Sequence, residues 1–361
     1  MKDSLIRVGI TQGDINGVGY EVVLKVLEDS RILELFTPIV YGSAKIALFY
    51  RKQLGLQPIP FNIIRNADDA RDGVVNIVNV VGEEVQAVPG EATVEAGRAA
   101  YAALQAAVAD INDEKIDVIV TAPINKNTIQ GEGFHFAGHT EYLAAAFKGE
   151  PLMILASDKM RVALVTTHLP VKEVSGKITK ESIVEKLQIF NDSLIRDYGI
   201  VKPRIAVLAL NPHAGDNGLL GTEERDVIVP AIEQAYGEKI SCFGPYAADG
   251  FFGASMYEKF DGVLAMYHDQ GLAPFKALAM DSGVNFTAGL SAIRTSPDHG
   301  TGYDIAGKGE ASEASMREAI YAAIDIFRNR ESHEERTANP LRRQYFDKSK
   351  DNVVLDFSKD D

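Results

Sequence analysis

Short runs of apolar, mostly β-branched residues alternate along the chain with longer amphipathic stretches. The short runs predict strands at 6–11, 38–41, 117–121, 161–167, 204–210, 262–267 and 284–289. These runs are nearly continuous, which is typical of strands covered by helices on both faces. The longer stretches predict helices near 18–29, 92–113, 181–197, 222–236 and 312–329. The alternation indicates an α/β fold with a mostly parallel sheet.

Composition narrows the class of protein. A length of 361 residues fits about two domains, and a hydrophobic content of 46% supplies material for buried cores. The formal charge of −14 argues against nucleic acid or an anionic membrane as the main partner. One cysteine, Cys242, excludes an internal disulfide and favours a reducing cytoplasm. Neither a signal peptide nor an apolar run of about 18 residues is present in the sequence.

The end of the chain differs from the rest. Residues 331–361 contain eight acidic and six basic residues, nearly twice the average charged fraction. Pro340 and two arginines lie in this stretch, and its one short apolar patch is at 353–355. We interpret 331–361 as an appended, charged C-terminal tail outside the catalytic core.

Three of the seven histidines lie just after predicted strands: His168, His213 and His268. Ligands bind at the carboxyl ends of strands in α/β sheets. Three neutral imidazoles at one rim would hold a divalent metal ion and leave coordination positions open. For any one of them the simpler interpretation is a hydrogen-bonding loop residue, but the repeated placement favours a metal site. The spacings of 45 and 55 residues match no short metal motif, so this prediction depends on topology.

A second group of residues predicts an anion site. Lys276, Asn285 and Arg294 fall within twenty residues of each other, and Arg294 has small and apolar neighbours. A lysine, an amide and an arginine suit a phosphate or a carboxylate. His139 and Thr140 precede a helical run, where helix N-terminal amides favour anions. The alternative is a pair of solvated surface cations.

Standard nucleotide and hydrolase motifs are absent from the sequence. The turn at 13–19 is not a G-x-G-x-x-G fingerprint, and 302–309 lacks the Ser/Thr of a P-loop. There is no G-x-S-x-G elbow, and Cys242 has no obvious base nearby in the sequence. A nicotinamide cofactor would therefore bind without a Rossmann fingerprint.

Four segments resemble the signatures of the 4-hydroxythreonine-4-phosphate dehydrogenase family of pyridoxal phosphate biosynthesis. They are Thr166-Thr-His-Leu-Pro170, Leu210-Asn-Pro-His-Ala-Gly215, Ala265-Met-Tyr-His-Asp-Gln-Gly271 and Arg294-Thr-Ser-Pro-Asp-His-Gly-Thr301. The resemblance runs in order from about residue 5 to 330. It implies an isocitrate/isopropylmalate dehydrogenase-like fold of two α/β domains around a central cleft. It also implies a homodimer in which the second subunit completes the active site.

The resemblance assigns roles to these residues. His168, His213 and His268 would be the metal ligands, and the substrate contacts would be His139, Thr140, Lys276, Asn285 and Arg294. His299 and Gly300 would line the pocket of NAD or NADP. The first domain would comprise 1–125 and 285–330, and the second domain, with the dimer interface, 126–284.

The chain departs from the family pattern in its first turn. The family usually has Gly-Asp-Pro-Ala-Gly-Ile-Gly-Pro-Glu, whereas this chain has Gly13-Asp-Ile-Asn-Gly-Val-Gly-Tyr-Glu21. Both prolines are missing, so we expect a less rigid loop. The tail beyond 330 also exceeds the usual family length.

The expected reaction is oxidation and decarboxylation of 4-(phosphooxy)-L-threonine with NAD or NADP. The metal is left open among zinc, cobalt, nickel, magnesium and manganese. Asp249 and Lys276 are both candidates for the general base. One rival hypothesis keeps the fold and changes the substrate to phosphorylated four-carbon acid sugars, such as threonate or erythronate 4-phosphate, or to dihydrodiols. A second is a metal-dependent lyase of the aldolase type, which also uses three histidines. A third is a protein that binds a phosphorylated metabolite without catalysis.

Overall fold

The computed structural model describes residues 5–131, 133–136 and 138–339. Its strands are β1 (Ile6–Thr11), β2 (Phe36–Gly42), β3 (Phe61–Ile64), β4 (Val75–Asn79), β5 (Val118–Thr121), β6 (Gly149–Ala156), β7 (Arg161–Leu164), β8 (Ile205–Leu208), β9 (Cys242–Tyr246), β10 (Gly262–Ala265), β11 (Val284–Leu290) and β12 (Arg294–Pro297). The α-helices are α1 (Gly19–Leu27), α2 (Ala44–Gln53), α3 (Val94–Asn112), α4 (His139–Ala146), α5 (Val171–Val174), α6 (Lys180–Arg196), α7 (Val229–Gly237), α8 (Ala248–Gly253), α9 (His268–Ala279) and α10 (Ala314–Ala338). Within these ranges, none of the helices combines the length and apolar character needed to span a membrane.

The described strands form one sheet in the order β3-β4-β2-β1-β5-β12-β11-β6-β7-β10-β8-β9. Neighbours are parallel from β3 to β12 and again from β7 to β9. The pairs β12–β11, β11–β6 and β6–β7 are antiparallel. The mostly parallel α/β sheet predicted from the sequence is therefore present. The three antiparallel pairs make its two parallel groups run in opposite directions.

Helices cover both faces of the sheet, which explains the nearly continuous apolar strands. In β5, Val118 and Val120 belong to the core that packs against α1, α6 and α10. Ile119 points to the other face, into a core shared with α3. Both faces of this strand are fully buried, so neither can carry polar residues without cost.

Several predicted boundaries changed. The runs 161–167, 204–210 and 262–267 end as strands at Leu164, Leu208 and Ala265. The predicted helix at 222–236 begins with a π-helical turn, Glu224–Ile228, before α7.

The last helix, α10, continues past residue 330 to Ala338. The first residues of the predicted tail are thus helical, and residues 340–361 lie outside the described part of the chain.

Candidate active site

A cleft lies over the central strands and consists of two adjoining cavities of about 230 and 220 Å³. Both cavities are lined by Lys126, His139, Lys276, Asn285, Arg294 and Asp298. Four of the five substrate residues predicted from the sequence are in this set, and the fifth, Thr140, lines the second cavity. Lys126 and Asp298 were missed. Lys126 follows the carboxyl end of β5, so the strand-end argument used for the histidines also applied to it.

Arg294, the first residue of β12, is only 3% exposed. Its Nε and Nη2 donate to Thr121 Oγ1 at 3.0 and 2.7 Å, and its Nη1 donates to Thr287 Oγ1 at 3.3 Å. Burial lowers the pKa of this guanidinium to about 10. Among the described residues no carboxylate forms an ion pair with it. A buried cation held by neutral groups is suited to an anionic ligand.

His139 opens α4 and adjoins Arg294, with Nδ1 3.3 Å from Nη2 of the guanidinium. Burial, together with the charges of Arg294 and Lys126, holds the pKa of His139 well below its usual value. The ring is therefore neutral near pH 7. Because a guanidinium can only donate, Nδ1 is the acceptor and Nε2 carries the hydrogen.

Three polar atoms of residues lining the cleft are buried without a partner among the described residues: His139 Nε2, His299 Nε2 and Asn285 Oδ1. His139 Nε2 is a donor and Asn285 Oδ1 is an acceptor. Unsatisfied buried polar groups are rare in folded proteins, and each is costly unless a ligand or water completes it. The cleft therefore has both kinds of hydrogen-bonding capacity available for a polar ligand.

Lys276, in the third turn of α9, contacts Asp298 twice. Its Nζ is 3.3 Å from Oδ1 and donates to the Asp298 backbone oxygen at 3.1 Å. Burial raises the pKa of the Asp298 carboxyl, although the charge of Lys276 opposes this shift. Asp298 thus fixes the position of the ammonium group at the wall of the cleft.

His168 and His268 come together at the far wall of the second cavity, with ring centroids 5.8 Å apart. The strands that precede them, β7 and β10, are adjacent and parallel. His268 Nδ1 lies 2.7 Å from Asp269 Oδ1, and His168 Nδ1 lies 3.8 Å from Glu141 Oε1. The interaction with His168 lowers the pKa of the Glu141 carboxyl. A carboxylate near Nδ1 favours the tautomer with a free Nε2, the form that binds metals.

His213 does not join them in this chain. It lies after β8 in the turn Pro212–Gly218, is exposed and lines neither cavity. Across the described residues, no three His, Cys, Asp or Glu side chains are close enough to hold a metal ion together. One chain thus brings together two of the three predicted metal ligands, His168 and His268.

The turn that carries His213 has left-handed φ angles at five consecutive residues, 213–217. Such angles are unfavourable for residues other than glycine. Glu224, only 5% exposed, fixes the start of the turn: its carboxylate accepts hydrogen bonds from the backbone N–H of Leu210 at 2.9 Å and of Asn211 at 2.7 Å. In the sequence this glutamate indicates only the start of a helix.

Asp249, the other candidate base, is in α8 and is exposed. It lines neither cavity. Of the two candidate bases, the structure brings Lys276 alone into the cleft of the same chain.

His299 and Gly300, the predicted cofactor residues, line the first cavity just after β12. The loop behind them is tied to the first turn of the chain. Val18 N–H donates to Thr301 O at 2.8 Å, and Tyr303 OH donates to Asp14 Oδ2 at 2.7 Å. The cofactor candidates therefore sit on a loop held by the segment in which this chain departs from the family pattern.

That first turn is not loose, contrary to the expectation from its missing prolines. Asn16 is 1% exposed; its Oδ1 accepts from Val88 N–H at 2.7 Å and its Nδ2 donates to Glu91 O at 2.9 Å. Tyr20 OH donates to Gln12 Oε1 at 2.6 Å. Side-chain hydrogen bonds hold the turn in place of the prolines.

An α/β fold with a cationic cleft, two converging imidazoles and no Rossmann fingerprint defines a class of enzymes that act on small anionic substrates. Comparison with known proteins identifies the family. The sequence model of the family "Pyridoxal phosphate biosynthetic protein PdxA" matches residues 34–323. The chain belongs to this family, which confirms the resemblance seen in the sequence.

Two relatives and one solved structure carry dehydrogenase names. A 4-hydroxythreonine-4-phosphate dehydrogenase of Bacteroides thetaiotaomicron is 56% identical over 98% of both chains. A D-threonate 4-phosphate dehydrogenase of Cupriavidus necator is 40% identical over 90% of this chain and 98% of its own. The crystal structure of a 4-hydroxythreonine-4-phosphate dehydrogenase from Klebsiella pneumoniae, 32% identical, superposes with a TM-score of 0.78 over 90% of this chain and 100% of that one. The predicted fold class is confirmed.

Proposed function

We propose that this enzyme oxidises 4-(phosphooxy)-L-threonine with NAD or NADP and decarboxylates the product to 3-amino-2-oxopropyl phosphate. The observation that carries the proposal is Arg294, a buried guanidinium without a counter-ion in the described chain, in one cleft with Lys276 and two imidazoles. The name of the 56% identical relative supports the same substrate.

The phosphate group binds at Arg294 and His139. The guanidinium offers charged N–H donors, and the Nε2 hydrogen of neutral His139 adds a donor without an acceptor. Lys126 supplies further positive charge at the same cavities. Several fixed donors on one phosphate orient the rest of the substrate and so lower the entropic part of the barrier.

We assign a divalent metal ion to His168, His268 and His213. When bound, such an ion would lower the pKa of a substrate hydroxyl and polarise the ketone formed from it. The chain's own contribution is to hold two imidazoles near each other, with Asp269 and Glu141 orienting them.

His213 reaches a metal site across the interface of a homodimer. Exposed apolar side chains flank both histidine loops: Val171 is 81% exposed beside His168, and Leu219 is 78% exposed beside His213. Exposed apolar residues grouped in this way are typical of a subunit contact. A second copy would cover them and bring the third ligand.

Lys276 is the general base best placed in this chain. Its Nζ must be neutral to accept the substrate hydroxyl proton, and Asp298 beside it can take the proton onward, since burial raises the pKa of that carboxyl. We assign the nicotinamide pocket to His299 and Gly300; when bound there, the cofactor would accept the hydride of the substrate. Loss of the carboxylate as carbon dioxide and protonation of the remaining carbon complete the reaction.

The single cysteine supports a cytoplasmic location.

D-threonate 4-phosphate is the alternative substrate, because the Cupriavidus relative carries that name. The two substrates share the phosphate and differ at the carbon next to the carboxylate, where one has an ammonium and the other a hydroxyl group.

A substrate panel tests the proposal. Formation of reduced nicotinamide is measured with each phosphate ester and with unphosphorylated 4-hydroxythreonine, with and without added divalent metal. We expect kcat/KM to be highest with 4-(phosphooxy)-L-threonine and at least a hundredfold lower without the phosphate. Metal-independent turnover, or equal rates without the phosphate, would contradict the assignment of the cleft. A preference for D-threonate 4-phosphate would replace the first substrate by the second.

A further inference from the structure

The chain between β12 and α10 has no helix or strand of its own over residues 298–313. Loops of this length without regular structure are uncommon and usually functional. Three of its glycines have left-handed φ angles: Gly302, Gly307 and Gly309. Because glycine has many accessible conformations, contacts with the rest of the fold must select the one that places His299 and Gly300 in the cleft. We call 298–313 the His299 loop.

The half of the His299 loop that lies next to α10 is fixed by α1. Lys25 Nζ donates to the backbone oxygens of Gly309 and Ala311 at 2.9 and 2.6 Å. Ala311 N–H donates in turn to Oε1 of the buried Glu21 at 2.9 Å. This half lines neither cavity of the cleft. These contacts therefore fix one end of the loop, and other residues must fix the end that carries His299.

The half that carries His299 is fixed by the first turn, residues 13–19. Val18 N–H donates to Thr301 O at 2.8 Å. Gly17 approaches the same residue so closely that a Cβ on it would lie 2.7 Å from Thr301 O, which is nearer than real Cβ atoms come. The turn and the loop are therefore in direct contact, and a shift of either one moves the other.

A side chain also joins the turn to the loop. Tyr303 OH donates to Asp14 Oδ2 at 2.7 Å. Asp14 is fully buried; its Oδ1 accepts from Asn16 N–H at 2.9 Å, and its own N–H donates to Pro123 O at 2.8 Å. Pro123 follows β5 and lines the first cavity. Asp14 thus connects the segments that follow β1, β5 and β12, which are neighbours in the sheet.

Charge and burial make this hydrogen bond costly to break. Burial and the Asp14 carboxylate raise the pKa of Tyr303 to about 12, so the hydroxyl keeps its proton near pH 7 and is the donor. Burial also raises the pKa of the Asp14 carboxyl, and the hydrogen bond from Tyr303 opposes this shift. Removing the hydroxyl would take this donor from a buried carboxylate oxygen, and such losses destabilise the arrangement that depended on the bond.

We propose that Asp14 is a positioning residue for the nicotinamide cofactor: its hydrogen bond to Tyr303 holds the loop in the form in which His299 and Gly300 line the cleft. The inference rests on the assignment of the cofactor to these two residues. Asp14 and Tyr303 line neither cavity, so they act through the loop and not on the cofactor itself. A loop that is already ordered spares the cofactor the entropic cost of ordering it. The bond therefore affects cofactor affinity more than the rate of the chemical step.

Tyr303→Phe in the full-length enzyme tests this role, because it removes the hydroxyl and keeps the ring. Affinity is measured without substrate, from the fluorescence of bound NADH or NADPH, whichever the enzyme forms. We expect the dissociation constant to rise about five- to tenfold, the size expected for one hydrogen bond, and the KM of the oxidised cofactor to rise in parallel. The kcat and the KM of the phosphorylated substrate should stay within about twofold of the wild type.

Tyr50→Phe is the matched control. Tyr50 OH donates to Ile15 O at 2.7 Å, so this substitution also removes a buried tyrosine hydroxyl that holds the first turn. Tyr50 lies in α2, and this hydrogen bond reaches the turn without involving the His299 loop. We expect cofactor affinity within about twofold of the wild type. An equal rise of the dissociation constant in both variants would show that any loosening of the turn weakens the cofactor, and would overturn the specific role of Asp14.

A double-mutant cycle tests whether Asp14 acts through Tyr303. Asp14→Asn keeps the shape of the side chain, weakens the acceptor and should raise the dissociation constant at least threefold. In the Tyr303→Phe background the same substitution should add less than about twofold, because two residues that act through one bond are not additive. Effects that multiply in the double variant would refute the proposed connection.

Two further measurements separate this inference from the proposed function. Without cofactor, the backbone amides at 299–305 should exchange hydrogen at least threefold faster in Tyr303→Phe than in the wild type, and unchanged exchange would refute the positioning role. If His299→Ala weakens cofactor binding and Tyr303→Phe does not, the inference is wrong and the pocket assignment stands. If neither substitution changes cofactor binding, the pocket assignment is wrong and the inference fails with it.

Discussion

Arg294→Met removes a buried cation that has no counter-ion among the described residues. Burial lowers the pKa of its guanidinium from 12.5 to about 10, and at ~1.36 kcal/mol per pKa unit the charge destabilises the fold by about 3 kcal/mol. The substitution also removes three hydrogen bonds to Thr121 and Thr287, each with a net value of about 1 kcal/mol. These two effects oppose each other and are of similar size. We therefore expect the free energy of unfolding to change by less than about 1.5 kcal/mol.

Catalysis should respond quite differently to Arg294→Met. Four of the five N–H groups of the guanidinium are used within the chain, and a charge-assisted hydrogen bond from the fifth to a phosphate contributes about 1.5–3 kcal/mol. Its loss corresponds to a decrease of roughly ten- to a hundredfold in kcat/KM for the phosphorylated substrate. Urea denaturation measures the unfolding free energy, and the absorbance of the reduced nicotinamide measures turnover.

Arg330→Met is the matched control, because Arg330 is also buried but is paired with the fully buried Asp197 at 2.7 Å. Removing Arg330 leaves Asp197 with only the partly exposed Arg196 as a cation, at 3.2 Å, so we expect a loss of about 3 kcal/mol, at the lower end of the range for a broken buried ion pair. We expect this variant to lose stability while the folded fraction retains its kcat/KM. If Arg294→Met instead loses several kcal/mol of stability and keeps its kcat/KM, the guanidinium is a structural group and the phosphate assignment is wrong.

Further predictions address other parts of the site. Because the fold depresses the pKa of His139, the unfolded chain binds one proton more than the folded chain below about pH 6.5. This group should therefore lower the free energy of unfolding by up to ~1.4 kcal/mol for each pH unit of acidification. His139→Gln should remove that part of the pH dependence, measured by urea titrations at several pH values. Thr121→Val keeps the shape of the side chain but removes the oxygen that accepts two hydrogen bonds from Arg294. We expect the free energy of unfolding, measured by heat or urea, to fall by about 1–3 kcal/mol and the substrate KM to rise. No change in either quantity would argue against this contact. Glu224→Gln weakens the hydrogen-bond acceptor at the start of the turn that carries His213. We expect faster amide hydrogen exchange at 210–218 and less bound metal by elemental analysis. Glu233→Gln, a substitution of an exposed residue, should change neither measurement.

Local sequence carried much of the fold. The predicted strand at 6–11 coincides with β1, and the helix predicted at 181–197 differs from α6 by one residue at each end. Both have strong apolar periodicity, which depends on neighbours in the chain. Shorter or more polar elements were missed, among them β3 and β4, where the apolar signal is brief.

The histidine argument shows the limit of strand-end reasoning. It placed His168 and His268 near each other correctly, since β7 and β10 are adjacent and parallel. It could not place His213 relative to them, because the left-handed turn after β8 directs that residue away from the cleft of its own chain. The metal assignment itself remains a prediction.

The sequence by itself determined the α/β class, the family and most of the polar residues around the cleft, because each depends on local periodicity or on short motifs. Only the tertiary structure decided that the two parallel groups of strands run in opposite directions around β6 and β11. It also decided that Arg294 is buried against Thr121, 173 positions away, and that Tyr303 bonds to Asp14, 289 positions away. Contacts between such distant residues depend on how strands are ordered in the sheet, and no local pattern in one sequence encodes that order.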